Sequence, residues 1–472
     1  MPLYKGGLKD PDCTDSYRAI AGSSLLLKLF DNVILIIWGD RLGTDSLQFG
    51  FKAGTSTTEC SWMVMEVANY FLRKGTSCIM TLLDCSKAFD MCKFSTLFEK
   101  LHKKGLPAIV LRSLVFVYEE QTAWVTWGRA RSVQFRVVNG TRQGSILSPA
   151  FFSIYIDDLL VQLRKSGVGC HIGDVFYGAA GYADDIVLLA PCRSAMSDML
   201  RICENFAREN NLKFSTDSNP AKSKSKCLYM VGPKVRNPVY PAPLQLYGQD
   251  LPWVVHATHL GHEFHQDCTM EMDIRMKRAA FIKNSSEVRT LFKFALPTQV
   301  LNAISVYSAH FYGAMLWDLS SDMAGQVYRS WNTCVKLVWD VPRSTHNYFV
   351  EHLLAKDFAS VKEKIFSQYT RFVQKLRQST SKEVRILQNI VKNDVRSVTG
   401  RNCLMLAQEF DIDPNTVGSQ KFKDLYQCYG IPGQDLWRIS ILDTLLQNRY
   451  EMTACGEDTD VVSGLIQSLC SS

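Results

Sequence analysis

The sequence predicts an α+β protein, with a β-centred core first and an all-helical region after it. Three observations carry this. Ile186-Val187-Leu188-Leu189-Ala190 is an apolar run with β-branched residues, bounded by Gly181 and two acids, which is the pattern of a buried strand. A second apolar run, Ser77 to Leu83, ends on Asp84. Past Pro252, helical spacing replaces strand patterns for the rest of the chain.

Taken in order, the first twenty residues are polar and rich in Gly, Asp and Pro, and include Lys5, Lys9 and Arg18. Residues 22–38 read as an apolar helix capped by Ser23-Ser24. Gln48 to Thr58 is a loop leading to a helix at about 58–73. Lys93–Lys104 and Ala108–Glu119 carry apolar residues at helical spacing. Trp124–Trp127 and Ser132–Asn139 alternate as a hairpin does. Asn139 to Pro149 is turn-rich and feeds a helix, Ala150–Leu163, with Pro149 at its start. A strand–turn–strand around Asp184-Asp185 follows, then a helix from about Arg193 to Asn210. The polar segment Ser215–Lys226 precedes a strand, Cys227–Val231.

The bulk numbers narrow the class. A chain of 472 residues has room for about two to four domains. Hydrophobic content of 46% against 21% charged residues excludes a disordered chain. The net charge of +7 permits a polyanionic partner without requiring one. Fifteen cysteines without a C-x-x-C pair argue against a disulfide framework or a zinc ribbon. They point to a reducing intracellular compartment, nucleus or cytoplasm. The N-terminus lacks signal-peptide architecture, and Leu25–Trp38, interrupted by Lys28 and Asp31, is too short to span a bilayer. It reads as a core helix, and no membrane partner is expected.

The chemistry concentrates at Tyr182-Ala183-Asp184-Asp185. Carboxylates beside a buried strand lose hydration at high cost, and a hard divalent cation offsets it. A solvated turn accommodates the same two acids.

The strand ending Leu83-Asp84-Cys85-Ser86-Lys87-Ala88-Phe89-Asp90, the Arg142-Gln143-Gly144-Ser145 loop with Pro149, and Tyr182-Ala183-Asp184-Asp185 occur in that order. This resembles the reverse transcriptase of non-LTR (LINE-like) retrotransposons. The resemblance begins at Pro2-Leu3-Tyr4-Lys5-Gly6, passes Ser16 to Ile20 and Gln48-Phe49-Gly50-Phe51, and continues to His259-Leu260-Gly261-His262. It implies a right-hand polymerase with an antiparallel palm sheet, followed by an all-helical C-terminal region. Residues 1–265 would be fingers and palm, the palm taking about 81–92 and 131–265. A helical thumb would occupy 266–365, and 366–472 would form a helical region of unknown role. The implied activity is RNA-directed DNA synthesis, extending a primer 3′-hydroxyl with dNTPs on an RNA template, with an RNA–DNA duplex as product. Two Mg²⁺ ions are implied, with Mn²⁺ as a substitute.

The resemblance also implies roles. Asp84, Asp184 and Asp185 would hold the metals and act as the catalytic acids. Phe89 would block a ribonucleotide's 2′-hydroxyl, and Asp90 reads as structural. Gln143 and Gly144 would position the nucleotide, Gly144 by letting backbone approach the substrate; Arg142 would contact the template or be solvated, and solvation is the expectation. Arg18 and Lys5 match cations that hold the incoming triphosphate, although Ala19 stands where the family usually has Pro. Among Lys222, Lys224 and Lys226, spacing favours Lys224 as the general acid. Leu260-Gly261 would turn the primer-grip hairpin. Histidines 256, 259, 262 and 265 recur every third residue, but a strand sends them to alternating faces, against a zinc site. Arg275, Lys277, Arg278, Lys283, Arg289 and Lys293 would grip a duplex backbone.

The pattern departs from the family in showing no nuclease constellation, so a truncated copy without its endonuclease is expected. Two rivals stand beside the polymerase: a catalytically silent nucleic-acid-binding remnant, and an RNA-directed RNA polymerase, which Phe89 disfavours.

Overall fold

Strands β1 (Pro2–Tyr4) and β2 (Tyr17–Ala19) pair antiparallel, and α1 (Leu25–Trp38) and α2 (Thr57–Arg73) follow. Ser24 and Ser56 cap these helices, their hydroxyls accepting from the Leu27 and Glu59 amides. Next come β3 (Ile79–Asp84), the short α3 (Ala88–Met91), α4 (Phe94–Lys103) and α5 (Ala108–Glu119). The computed structural model describes residues 2–5, 10–142, 144–216, 227–232, 243–347, 350, 360–410 and 463.

The expected hairpin after α5 is a stepped one. Strands β4 (Thr122–Ala123) and β7 (Phe135–Arg136) pair outside β5 (Thr126–Trp127) and β6 (Ala130–Arg131). Helix α6 (Ser148–Lys165) carries Pro in its first turn. Then follow β8 (His171–Ile172), β9 (Val175–Phe176), β10 (Ala179–Tyr182), β11 (Asp185–Ala190), α7 (Arg193–Glu209), β12 (Leu228–Val231), β13 (Gln245–Leu246), β14 (Gln249–Asp250), β15 (His256–His259) and β16 (His262–His265).

The chain divides into two units: Met1–Leu260 with Gln266–Cys268 and Ser379–Val384, and Gly261–His265 with Thr269–Gln378 and Arg385–Ser472. At the centre of the first is an antiparallel sheet in the order β10-β11-β3-β12. Ile79 to Leu83 and Ile186 to Ala190 are all buried, which is why both strands read as unbroken apolar runs. Helices α2, α6 and α7 pack on this sheet.

The second unit is helical after β16: α8 (Glu271–Leu291), α9 (Pro297–Tyr307), α10 (Asp322–Trp339), then Val361–Arg377 and Val398–Phe410. Phe281, Phe311, Trp317 and Trp331 form its aromatic core. Buried Asp273 accepts from Trp317 Nε1 (2.8 Å) and pairs with Lys277 (2.8 Å). The expected boundary between residues 365 and 366 falls inside the helix Val361–Arg377.

Two expectations are corrected. Helix α1 is not a core helix: only Asp31 and Ile34 are buried, while Leu25 and Ile36 are each 83% exposed. Its apolar residues run all round the helix, so hydrophobicity alone could not say which face is covered. Arg142 is buried rather than solvated, with its guanidinium 5.2 Å from the centre of the Tyr118 ring. The ring face offsets the loss of water. Among the described residues no helix is long and apolar enough to cross a membrane.

Candidate active site

Asp84 closes β3 and Asp185 opens β11, and the antiparallel register sets them directly opposite each other. Opposed residues on such a ladder project to the same face, so pairing brings two carboxylates from distant parts of the chain together. Tyr182 pairs with Asp185, leaving Ala183-Asp184 as a two-residue turn. Ala183 has φ 58°, and Asp184 is not among the positive-φ residues. Positive φ at the first turn position only is the signature of a type II′ turn. All three acids are half-buried.

Serine hydroxyls support Asp84. Ser215 Oγ donates to Asp84 Oδ2 (3.2 Å), and the Ser86 and Ser215 hydroxyls lie 2.6 Å apart. The Ser215 amide also donates to the Asp84 carbonyl (2.9 Å). Two buried thiols lie in the field of the acids. Burial, and after it Asp184 and Asp84, pushes Cys85 well above its usual value; burial, Glu59 and Asp185 do the same to Cys60. Without a metal ion burial favours the protonated thiol at both positions, and sulfur suits soft cations better than hard ones. The donor set left is hard carboxylate oxygen, which fits Mg²⁺ or Mn²⁺. Among the described residues no group of three or more His, Cys, Asp and Glu side chains forms a metal site by itself.

Phe89 stacks on buried Phe152 (ring centres 4.5 Å apart, 23° between planes) and meets Phe51 edge-on at 6.2 Å. The Thr141 amide donates to the Phe89 carbonyl (2.7 Å), docking the start of the 142–144 loop beside it. Gly144 has φ 109°, and a Cβ there would lie 2.6 Å from the Ala21 carbonyl oxygen. The close approach that requires glycine is thus to Ala21. Gln143 lies outside the described residues, and so do Lys222, Lys224 and Lys226.

Lys5 and Arg18 are both exposed. Leu3 pairs with Arg18, and the Lys5 amide donates to the Ser16 carbonyl (2.9 Å), which continues the ladder. Alternation then puts Lys5 and Arg18 on one face as diagonal neighbours. Leu260 (φ 48°) and Gly261 (φ 81°) form a turn of the type I′ kind between β15 and β16. The histidines around it do not converge. His256 is exposed, His259 bonds Ser61 (3.1 Å), and His262 stacks on Tyr312 (4.7 Å). On α8, Lys277 and Arg278 turn inward onto Asp273 and Ser330, whereas Arg275 and Lys283 are exposed.

Residues 7–263 match the family described as reverse transcriptase (RNA-dependent DNA polymerase). The chain belongs to that family. The three acids, Phe89, Gly144 and Arg18 all lie within the matched reverse transcriptase region.

Its relatives are the polymerases of non-LTR retrotransposons, as the resemblance implied. The Pol polyprotein of the type-2 retrotransposable element R2DM of Drosophila melanogaster is 27% identical, over 43% of this chain and 19% of that protein. The probable RNA-directed DNA polymerase from transposon BS of the same species is 25% identical, over 81% of this chain and 42% of its own length. The RNA-directed DNA polymerase from mobile element jockey of Drosophila funebris is 28% identical, over 45% and 24%. The chain thus spans between a fifth and two fifths of the length of these curated relatives. Among solved structures it is similar to telomerase from Candida albicans, at 11% identity and TM-score 0.35, covering 86% of this chain and 56% of that one. Telomerase from Candida tropicalis gives 13% identity and TM-score 0.38, covering 77% and 56%.

Two residues that contact the candidate acids or their turn carry no signal in the sequence: Ser215 bonds Asp84, and Gln48 bonds the Ala183 amide. Ser215 opens a polar segment, and Gln48 begins the stretch Gln48-Phe49-Gly50-Phe51. No periodicity marks either, because each acts through a contact with a remote segment.

Proposed function

We propose that the chain is an RNA-directed DNA polymerase of a non-LTR retrotransposon, extending the 3′-hydroxyl of a primer with dNTPs on an RNA template. The observation that carries this reading is the Asp84–Asp185 register with Asp184 in the adjoining turn, inside a region matching the reverse transcriptase family. The polymerase would take the right-hand form. The first unit would hold fingers and palm, and the helices from Glu271 the thumb, carried past residue 365 to the end of its helix at Arg377.

Asp84, Asp184 and Asp185 would hold two divalent ions, for which Mg²⁺ is the proposed species and Mn²⁺ a substitute. Bound there, such ions activate the attacking hydroxyl and neutralise charge on the leaving pyrophosphate. The chain's own residues do the positioning. Ser215 orients Asp84 by donating to Oδ2. Phe89, fixed by its stack on Phe152, would stand against a 2′-hydroxyl and select deoxyribonucleotides. Arg18 and Lys5, on one face of the β1–β2 ladder, would bind the triphosphate. Gln143 and Gly144 would align the nucleotide, Lys224 would protonate pyrophosphate, and the Leu260-Gly261 turn would hold the primer end. Arg275 and Lys283 would contact duplex phosphates without regard to sequence.

Primer extension on poly(rA)/oligo(dT) with Mg²⁺ tests the reading. Incorporation of dTTP but not UTP is expected, abolished in Asp184→Asn with folding and duplex binding intact. Extension retained by that variant would overturn the assignment.

A further inference from the structure

We propose that Gln48 is a positioning residue for the acidic turn: its side-chain carbonyl fixes the backbone of Ala183 and so sets where Asp184 and Asp185 stand. The proposal rests on reading those acids as the polymerase's metal-holding groups.

Gln48 is fully buried. Its Oε1 accepts from the amide of Ala183 and from the amide of Gly50, both at 2.9 Å. Both partners are donors, so the amide is oriented with its oxygen toward the turn. The flanking backbone holds the same hairpin. The Phe49 amide donates to the Gly181 carbonyl (2.7 Å), and the Gly181 amide donates to the Leu47 carbonyl (2.9 Å). Gly50 packs so closely that a Cβ there would lie 2.2 Å from the Ala183 nitrogen. A turn with alanine at φ 58° is in a region that L residues disfavour. It needs a tie from outside, and Gln48 supplies one.

The loop that carries Gln48 is itself anchored. Asp45 Oδ1 accepts from the Leu47 amide (2.9 Å) and from Arg164 Nη2 (2.5 Å). Arg164 Nη1 donates to Glu383 Oε1 (2.6 Å), and Glu383 is fully buried. The Asp45 amide in turn donates to Asp157 Oδ1 (2.6 Å). A continuous line of fixed contacts therefore runs from Glu383 through Arg164, Asp45 and Gln48 to the turn, all within the first unit. Two-metal chemistry needs its carboxylates held in place, and a misplacement of about 1 Å costs roughly a hundredfold in rate.

Two variants of the full chain test this. Gln48→Asn keeps the amide but withdraws it by one methylene; Gln48→Glu keeps an acceptor oxygen at the original reach. Hydrogen exchange of the Ala183 amide, followed without nucleotide or metal, reports the tie directly. Primer extension on poly(rA)/oligo(dT) reports its consequence. We expect faster exchange at Ala183 in Gln48→Asn, with kcat down about a hundredfold and KM for dTTP nearly unchanged. Gln48→Glu should keep the protection and recover most of the rate. Wild-type protection and kcat in Gln48→Asn would overturn the proposal, and so would equal losses in both variants. If the unsubstituted chain extends nothing while exchange still follows this pattern, the polymerase reading fails and the tie stands.

Discussion

Asp84 and Asp185 face each other across the β3–β11 ladder, the last residue of one buried strand against the first of the other. Every residue from Ile79 to Leu83 and from Ile186 to Ala190 is buried, so the ladder cannot slip without drawing a flanking acid into the buried part of the sheet. The register that buries the sheet thereby holds two like charges together at its end. Like charges directly opposite on a ladder destabilise it by a few tenths to about 1 kcal/mol.

That repulsion has a measurable consequence. Without divalent ions, Asp84→Asn should raise the unfolding midpoint by about 1–2 °C while abolishing primer extension. Adding Mg²⁺ should then stabilise the unsubstituted chain more than the variant, because a ligand stabilises only a state that binds it. Differential scanning fluorimetry with chelator and with Mg²⁺ reads both effects. A lower midpoint in the variant under chelator would contradict the argument.

Gly144 and Gly128 separate backbone strain from collision. Both have positive φ, but a Cβ at Gly128 meets nothing within 4 Å, whereas one at Gly144 lies 2.6 Å from the Ala21 carbonyl oxygen. Gly128→Ala should cost about 1 kcal/mol from its φ alone. Gly144→Ala should cost about 2–4 kcal/mol and weaken nucleotide use with it. Urea midpoints of the two variants, taken side by side, check the ranking.

Substituting Phe89 tests sugar selection. Phe89→Val removes the ring stacked on Phe152. UTP incorporation should rise relative to dTTP in direct competition, with stability down about 1–2 kcal/mol from the lost aromatic contact. An unchanged UTP:dTTP ratio would confine Phe89 to a packing role.

In the second unit, His262 titrates far from its usual range. Burial first, and the Lys277 ammonium 3.5 Å from Nδ1 second, lower its pKa to about 3. Lys277 is itself paired with Asp273, and the His262 ring lies flat on Tyr312. The sign follows from linkage. The unfolded histidine takes up a proton near its ordinary value of 6.5 while the folded one does not. Stability is therefore full above about pH 6.5 and falls toward pH 3, by at most about 1.4 kcal/mol per pH unit from this group. His262→Phe keeps the stack and removes the titration. Its thermal midpoint should depend less steeply on pH across that window than the unsubstituted chain's.

Much of the candidate site is legible in the sequence. Asp84, Asp184 and Asp185 stand out because acids at the ends of apolar runs are chemically conspicuous, and Ser24 because a helix cap is a local event. The α+β order followed from periodicity, which is local too. What the sequence left open was every contact between remote segments. Arg142 looked solvated and is buried on Tyr118; α1 looked buried and is largely exposed. An apolar all-round helix carries no signal for its covered face, and a cation–π partner 24 positions away leaves no spacing to read.

By itself, then, the sequence determined the order of strands before helices and the reverse transcriptase family, and it marked the acids proposed for the site. Only the tertiary structure decided that Asp185 stands opposite Asp84, that Gly144 must be glycine because of Ala21, and that Gln48 ties the turn. Composition and periodicity record what each residue prefers along the chain. Register, burial and hydrogen-bond partners arise when separate segments meet, and they exist only in the folded molecule.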